Sequence, residues 1–376
     1  MHLSARSRVW TRRGFLVLSI PWTLQADLDR KRILPSDWRR YADPATEFEV
    51  FRLTDPAYTS LLSANYNRTI SRRNGFLLFS SDRPDMAYSG LQVFRMDLNN
   101  GECRRLTEVE GLDPASVVLL PSERGFVCAA DAVLLQVDMG TLRPRELYRS
   151  PDGWRRTAGL TISLDGLYAA FAETDGQRSR VRLLTLATRS VNTVCEIPGV
   201  AEHPLLRPRR AQIAYRLGED SLWLADFSGQ NRRLRTAAGR IGPAFWAPGG
   251  RALLYLQFPD DPAVLNAIRE LAPDENTDRL VARTSQFAHF AANGDASVFV
   301  GASRNQAGPY ILLLVRYARR EMTICEHKAS DVALTTPVFS PDSQRIYFVS
   351  DRDGKPAIYQ MRIEKLVEKT EEDVPA

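Results

Sequence analysis

Cysteine is scarce in this sequence and follows no pattern. The 4 cysteines (Cys103, Cys128, Cys195 and Cys325) form no Cys-x-x-Cys pair, which argues against a thiolate metal site or a dithiol redox centre. They fall in separate strand-like runs and read as buried free thiols. No Gly-x-Ser-x-Gly marks a serine hydrolase, and there is no P-loop, no Gly-x-Gly-x-x-Gly after a strand and no His-Glu-x-x-His. Long apolar runs are equally rare. The apolar run at residues 15–22 is too short for the roughly 20 apolar residues that a bilayer-spanning helix needs, and no other segment approaches that length. A surplus of one charge is also missing once the N-terminus is set aside. The chain carries 50 Lys and Arg against 45 Asp and Glu, but Arg6, Arg8, Arg12 and Arg13 lie in an acid-free stretch of 26 residues. The remaining 46 basic and 45 acidic residues nearly cancel, so nothing reads as a nucleic-acid-binding surface. With 44% hydrophobic and 25% charged residues among 376, the composition is that of an ordinary globular chain and excludes disorder and a multi-span membrane protein.

What is present begins with an address. Thr11-Arg12-Arg13-Gly14-Phe15-Leu16 opens the apolar run, and Leu24-Gln25-Ala26 follows it. A basic n-region, a short apolar h-region and a terminal small residue make a secretory signal, and the paired arginines resemble the twin-arginine type that exports folded proteins. The expectation is a periplasmic protein. Leu24 is a poor fit to the small residue usual there, so retention as an uncleaved N-terminal anchor stays open.

The rest of the chain repeats one unit: a short apolar strand, a polar turn, then further strands. The turn recurs at Asn74-Gly75, Ser122-Glu123-Arg124-Gly125, Leu164-Asp165-Gly166, Pro208-Arg209-Arg210, Pro248-Gly249-Gly250, Asn293-Gly294-Asp295 and Pro341-Asp342-Ser343. The mean step is about 45 residues, and the units are rich in Val, Ile, Phe, Tyr and Leu at strand spacing, which is the signature of a four-stranded propeller blade. Cys103-Arg104-Arg105-Leu106-Thr107 ends the outer strand of the first unit. Phe48-Glu49-Val50-Phe51-Arg52-Leu53-Thr54 ends in the same way with no unit before it. That run therefore reads as the outer strand of the last blade, closing the ring and removing an exposed sheet edge. The expected fold is all-β: a seven-bladed β-propeller of antiparallel four-stranded blades over residues 48–366. A signal segment (1–26) and a lead-in (27–47) precede it, and a tail (367–376) follows. Two helices are expected, at residues 262–271 and 363–369.

Several segments in order resemble the oligogalacturonate lyase family. They are Asp43-Pro44-Ala45-Thr46-Glu47, Arg52-Leu53-Thr54-Asp55-Pro56, Asn65-Tyr66, Leu78-Phe79-Ser80-Ser81-Asp82-Arg83 and Met96-Asp97-Leu98-Asn99-Asn100-Gly101-Glu102. Glu202-His203-Pro204-Leu205-Leu206-Arg207-Pro208, Phe245-Trp246-Ala247-Pro248-Gly249-Gly250 and Phe339-Ser340-Pro341-Asp342 continue the series. The last is shared with TolB-like propellers in general. The resemblance implies β-elimination of short α-1,4-linked galacturonides, as in pectin breakdown, with a divalent cation held by three histidines and a glutamine. Here the ligand positions it implies read Pro243, Leu334 and Thr336, and the glutamine reads Asp331. Beyond the signal only His203, His289 and His327 remain, so neither a metal site nor any other cofactor is expected.

By the same resemblance His203 is the catalytic base, and Arg207, Arg68 and Tyr66 contact a uronate-containing oligosaccharide. A planar guanidinium suits a carboxylate. His289, in Gln286-Phe287-Ala288-His289, falls one repeat before the family's Gln-x-x-His segment and reads as structural. Two readings stand beside a lyase that works without the family's metal: a non-catalytic exported propeller that binds a glycan or a protein partner, and a scaffold of the TolB-like type.

Overall fold

The computed structural model describes residues 33–84, 90–236 and 239–363. The signal-like segment 1–26 and, but for Ile363 itself, the helix expected at residues 363–369 lie outside them. Seven antiparallel sheets follow one another along the chain, five with four strands and two with five. Seven hydrophobic cores alternate with them, each drawing residues from two sheets adjacent in the ring. One core joins Phe79 and Phe94 of the first blade to Tyr347 and Ile358 of the last, so the array closes.

Each sheet is thus covered on both faces, and that explains the composition of its strands. The second strands Phe76–Ser81, Gly125–Ala130 and Val298–Ser303 are buried at every position. A strand with apolar neighbours on both sides needs no alternation and reads as a continuous apolar run. The turn before each of these strands is a tight reversal closed by a residue with positive φ. Asn74, Glu123, Gly166, Gly250, Ala296 and Ser343 occupy equivalent places, while the fourth blade shifts the residue to Arg209. These are the turns that mark the repeat in the sequence.

The expected closure holds. Glu49–Arg52 pairs antiparallel with Ala357–Arg362 in the last blade, with Val50 opposite Met361 and Arg52 opposite Tyr359. Alternation sends Val50 into the core between the sixth and last blades and Leu53 into the core between the last and the first. The lead-in contributes more than expected. Ile33–Leu34 adds a fifth strand beside Cys103–Arg105, and Arg39–Ala42 adds one beside Glu49–Arg52. Asp43, 1% exposed, accepts hydrogen bonds from the backbone of Ala45, Thr46 and Glu326, tying the lead-in to the sixth blade.

The helix expected at residues 262–271 is corrected. Ala267–Ala272 is the third strand of the fifth blade, paired with Leu253–Phe258. The apolar spacing there does fit a helical face, but the blade offers a strand position with cores on both sides. Ile268 fills one core and Leu271 the other. Non-local pairing outweighs local propensity. All four cysteines are free thiols.

The closing strand gives a direct test. Val50→Ala should lower stability by about 2 kcal/mol through lost burial and a residual cavity, read as a shift in the urea-unfolding midpoint. Val50→Asp should lower it considerably more. An unchanged midpoint in both would mean that the closing strand contributes nothing to the ring.

Candidate functional site

The innermost strands do not run straight. Five of them carry a register break soon after they begin: between Asp113 and Val118, Arg156 and Leu160, Glu202 and Leu205, Ile241 and Ala244, and Phe287 and His289. Extra residues bulge out of each strand and re-aim their side chains, as β-bulges do at barrel rims. The breaks fall at similar heights in successive blades. Residues distant in sequence therefore project into one end of the axial channel, the end reached by the loops that join blade to blade.

His203 is such a residue. With Pro204 it bulges opposite Tyr215, and its φ of 50° places it in the left-handed region that few L-residues adopt. The third blade accommodates it through Gly159, where an added Cβ would come within 2.6 Å of the His203 Cα. A cavity of about 740 Å³ opens in front of it, lined among others by Tyr66, Glu202, Arg216, Phe258 and His289. The Nδ1 of His203 lies 3.1 Å from the Tyr66 hydroxyl, with the two rings edge to face. Burial, reinforced by the Arg216 guanidinium and opposed by Glu202, brings the His203 imidazole down to about 4. Burial also brings His289 down to about 4, with Asp331 opposing and Arg304 adding to the shift. Both imidazoles are therefore neutral at ordinary pH and available as proton acceptors. Burial, followed by the Asp113 carboxylate, pushes the Tyr66 phenol well above its usual value, so it stays protonated.

Tyr66 reaches His203 from across the ring. In the first blade, residues 62–69 separate the pairing of Leu61 with Ser80 from that of Ile70 with Leu77, a gap the partner strand crosses with Leu78 and Phe79 alone. The surplus chain crosses the channel. Asn65 Nδ2 donates to the Phe290 carbonyl in the sixth blade, and the Ser63 and Asn67 side chains donate to the Ala115 carbonyl in the second. Asn65, Tyr66 and Leu205 line the cavities on both sides, so this crossbar divides the channel in two.

Of the four residues singled out from the sequence, the structure brings His203 and Tyr66 together and places Arg207 and Arg68 elsewhere. Arg207 lies four residues beyond His203, just past the end of the strand Ala201–Leu206. It is 4% exposed and holds Asp274 through two parallel bonds of 2.8 and 2.7 Å. It also donates to Gln212 and the Gly250 carbonyl, and its guanidinium lies over the Trp246 ring. Arg68 bonds to Glu123 and the Leu120 carbonyl. Both line a second cavity of about 860 Å³ at the opposite mouth, between the tight turns. Conversely His289, read as structural from its place in the repeat, shares the cavity of His203. His327 is satisfied within the fold, its Nε2 bonded to the Ser303 carbonyl and its Nδ1 to the Ala329 amide.

The positions that the family resemblance implies for metal ligands do converge here: Pro243, Leu334 and Thr336 all line the His203 cavity. They present a pyrrolidine ring, an isobutyl group and a hydroxyl. Asp331 is engaged, its carboxylate capping the turn Val332–Leu334 by accepting from the Ala333 amide. Among the described residues no group of three or more His, Cys, Asp or Glu side chains is arranged to hold a metal ion. The residues present do not fit the family's cation.

No protein-family model matches the chain. An oligogalacturonide lyase of Pectobacterium atrosepticum is 24% identical, over 88% of this chain and 97% of its own. An oligogalacturonate lyase of Dickeya dadantii is 23% identical over the same shares. Among solved structures, an oligogalacturonate lyase in complex with manganese superposes with a TM-score of 0.82 at 22% identity, covering 89% of this chain and 99% of that one. The chain thus resembles oligogalacturonate lyases along most of its length, and it shares their fold.

The buried imidazoles set an acid limit. Above pH 6.5 they are neutral whether the chain is folded or not. Between 6.5 and about 4 the unfolded chain takes up protons that the folded one refuses, so stability falls as pH falls. At pH 5 each buried imidazole should cost up to about 2 kcal/mol relative to pH 7. His203→Gln should therefore flatten the pH dependence of the urea-unfolding free energy by about that amount. An unaltered slope would show that the ring is not held neutral.

Proposed function

We propose that the chain acts on short uronate-containing oligosaccharides in the His203 cavity, cleaving them by β-elimination without the family's metal site. The observation that carries this reading is the His203–Tyr66 pair: a neutral imidazole, oriented by a phenol, in a cavity of oligosaccharide size. Pockets for small ligands commonly span 300–1,000 Å³. The likeness to oligogalacturonide lyases along 88% of the chain supports the substrate class.

In this mechanism the Nδ1–H of His203 donates to the Tyr66 oxygen, which leaves the Nε2 lone pair facing the cavity. Nε2 takes the proton on C5, next to the uronate carboxylate. The C5 electron pair forms the C4=C5 double bond, and the C4–O bond breaks with its pair on the departing sugar's oxygen. That oxygen then takes up a proton from the His203 imidazolium, directly or through water, which restores the neutral base. The bound phenol fixes the tautomer, as the partner of a catalytic imidazole does elsewhere. Arg68 and Arg207 are left out of this assignment, since their guanidiniums are engaged at the other mouth. The second reading, a uronate-binding propeller without turnover, is favoured by the loss of nitrogen donors at Pro243, Leu334 and Thr336. Export to the periplasm rests on residues 11–26 alone and belongs to the same proposal.

Digalacturonate incubated with the protein should yield an unsaturated uronate, seen by its ultraviolet absorbance. His203→Ala should lower the rate on the order of 10²–10⁴-fold, and Tyr66→Phe about tenfold through loss of the tautomer lock. Binding of digalacturonate without any absorbance, unaltered by adding manganese, would leave the non-catalytic reading in place.

A further inference from the structure

A uronate site needs positive charge, and two arginines at the rim of the His203 cavity remain uncommitted. Arg240 opens the innermost strand of the fifth blade, and Arg304 follows the second strand of the sixth. Both line the cavity, and both are exposed. Phe258 stands between them, its ring centroid 4.6 Å from the Arg304 guanidinium carbon and 5.9 Å from that of Arg240. Among the described residues neither guanidinium lies within 4 Å of a carboxylate, whereas the neighbouring Arg216 is bound to Glu202. Glu219, the other acid on the cavity wall, pairs with neither.

The platform between them is built. The Phe258 ring rests on the bare α-carbon of Gly242, where a Cβ would come within 2.5 Å of the ring. Gly239, at φ 88°, brings the chain against the Phe258 carbonyl just before Arg240, and an added Cβ there would lie 2.2 Å from that oxygen. Two glycines thus fix the ring and the entry of Arg240 beside it. Stacking on an aromatic face orients a guanidinium while leaving its fork of N–H donors free. Two like charges sharing one ring repel each other: partial burial of the guanidinium, and secondly the proximity of Arg240, lower the affinity of Arg304 for its proton. A bound anion relieves that repulsion.

We infer that Arg240 and Arg304, mounted on Phe258, form a carboxylate clamp that holds the uronate groups of an acidic oligosaccharide in front of His203. This rests on the uronate reading for its ligand, but the clamp itself requires only a carboxylate. It supplies at the rim the cationic recognition that Arg68 and Arg207, at the opposite mouth, do not.

Calorimetric titration tests it with three probes: malonate, digalacturonate and neutral digalactose. The wild-type protein should bind both acids, more weakly as salt rises, and digalactose at least tenfold more weakly. Arg240→Gln and Arg304→Gln should each weaken digalacturonate binding about tenfold and together abolish malonate binding, with an unchanged melting temperature. His203→Gln should leave malonate binding intact. Equal affinity of the wild type and the double variant for malonate, or no binding of malonate to the wild type, would overturn the clamp. If malonate bound through the two arginines and digalacturonate did not bind, the clamp would stand and the sugar assignment would fall. If digalacturonate bound the double variant as tightly as the wild type, the clamp would fall and the sugar assignment would stand.

Discussion

Every sheet in this protein depends on contact with two others. A blade alone would expose two apolar faces and two edges, and the second strands, buried along their whole length, have no polar face to turn to water. The fold answers this constraint with seven shared cores and a strand from the beginning of the chain in the last sheet. Once the ring is closed, its innermost strands are forced toward a common axis. The channel, its two mouths and the residues that project into it follow from that closure.

Convergence also accounts for how a site arises from dispersed residues. Tyr66, His203 and His289 belong to the first, fourth and sixth blades and share no local motif. They meet because the bulges lie near the same level and because one strand gives up its regular path to the crossbar of residues 62–69. Glycine supplies the room. Gly159 yields space to the His203 backbone and Gly242 to the Phe258 ring. The rigidity of the blades permits a left-handed backbone at His203 that an isolated strand would not hold.

The ring was largely legible in the sequence because its turns are local. A tight reversal with a left-handed residue calls for Asn, Gly or a polar run, and these recur at a fixed period. The closing strand was visible through the likeness of Arg52-Leu53-Thr54 to Arg105-Leu106-Thr107. What local signals could not convey was competition between local and distant pairing, hence the helix expected at residues 262–271, and the lead-in strands, too short to announce themselves. The site divides along the same line. His203 stood out through its neighbours Glu202 and Pro204, and Tyr66 through Asn65. His289 reads as structural because it falls one repeat before the family's Gln-x-x-His segment, but its place in the repeat says nothing about the height at which a bulge delivers it. Arg207 looked suitable, but Asp274, its partner 67 positions away, is invisible until the chain folds. Arg240 and Arg304 gave no signal at all, since what distinguishes them is a missing counter-charge.

The closing pair also imposes an order on synthesis. Glu49–Arg52 leaves the ribosome roughly 300 residues before its partner Ala357–Arg362. At roughly 5–20 residues per second, the early strand waits roughly 15–60 s with an open hydrogen-bonding edge before any partner exists. The ring cannot close before that second strand has been made. Over such an interval the charged side chains of Arg39 and Arg40, on the neighbouring strand Arg39–Ala42, oppose pairing of the nascent edge with another copy.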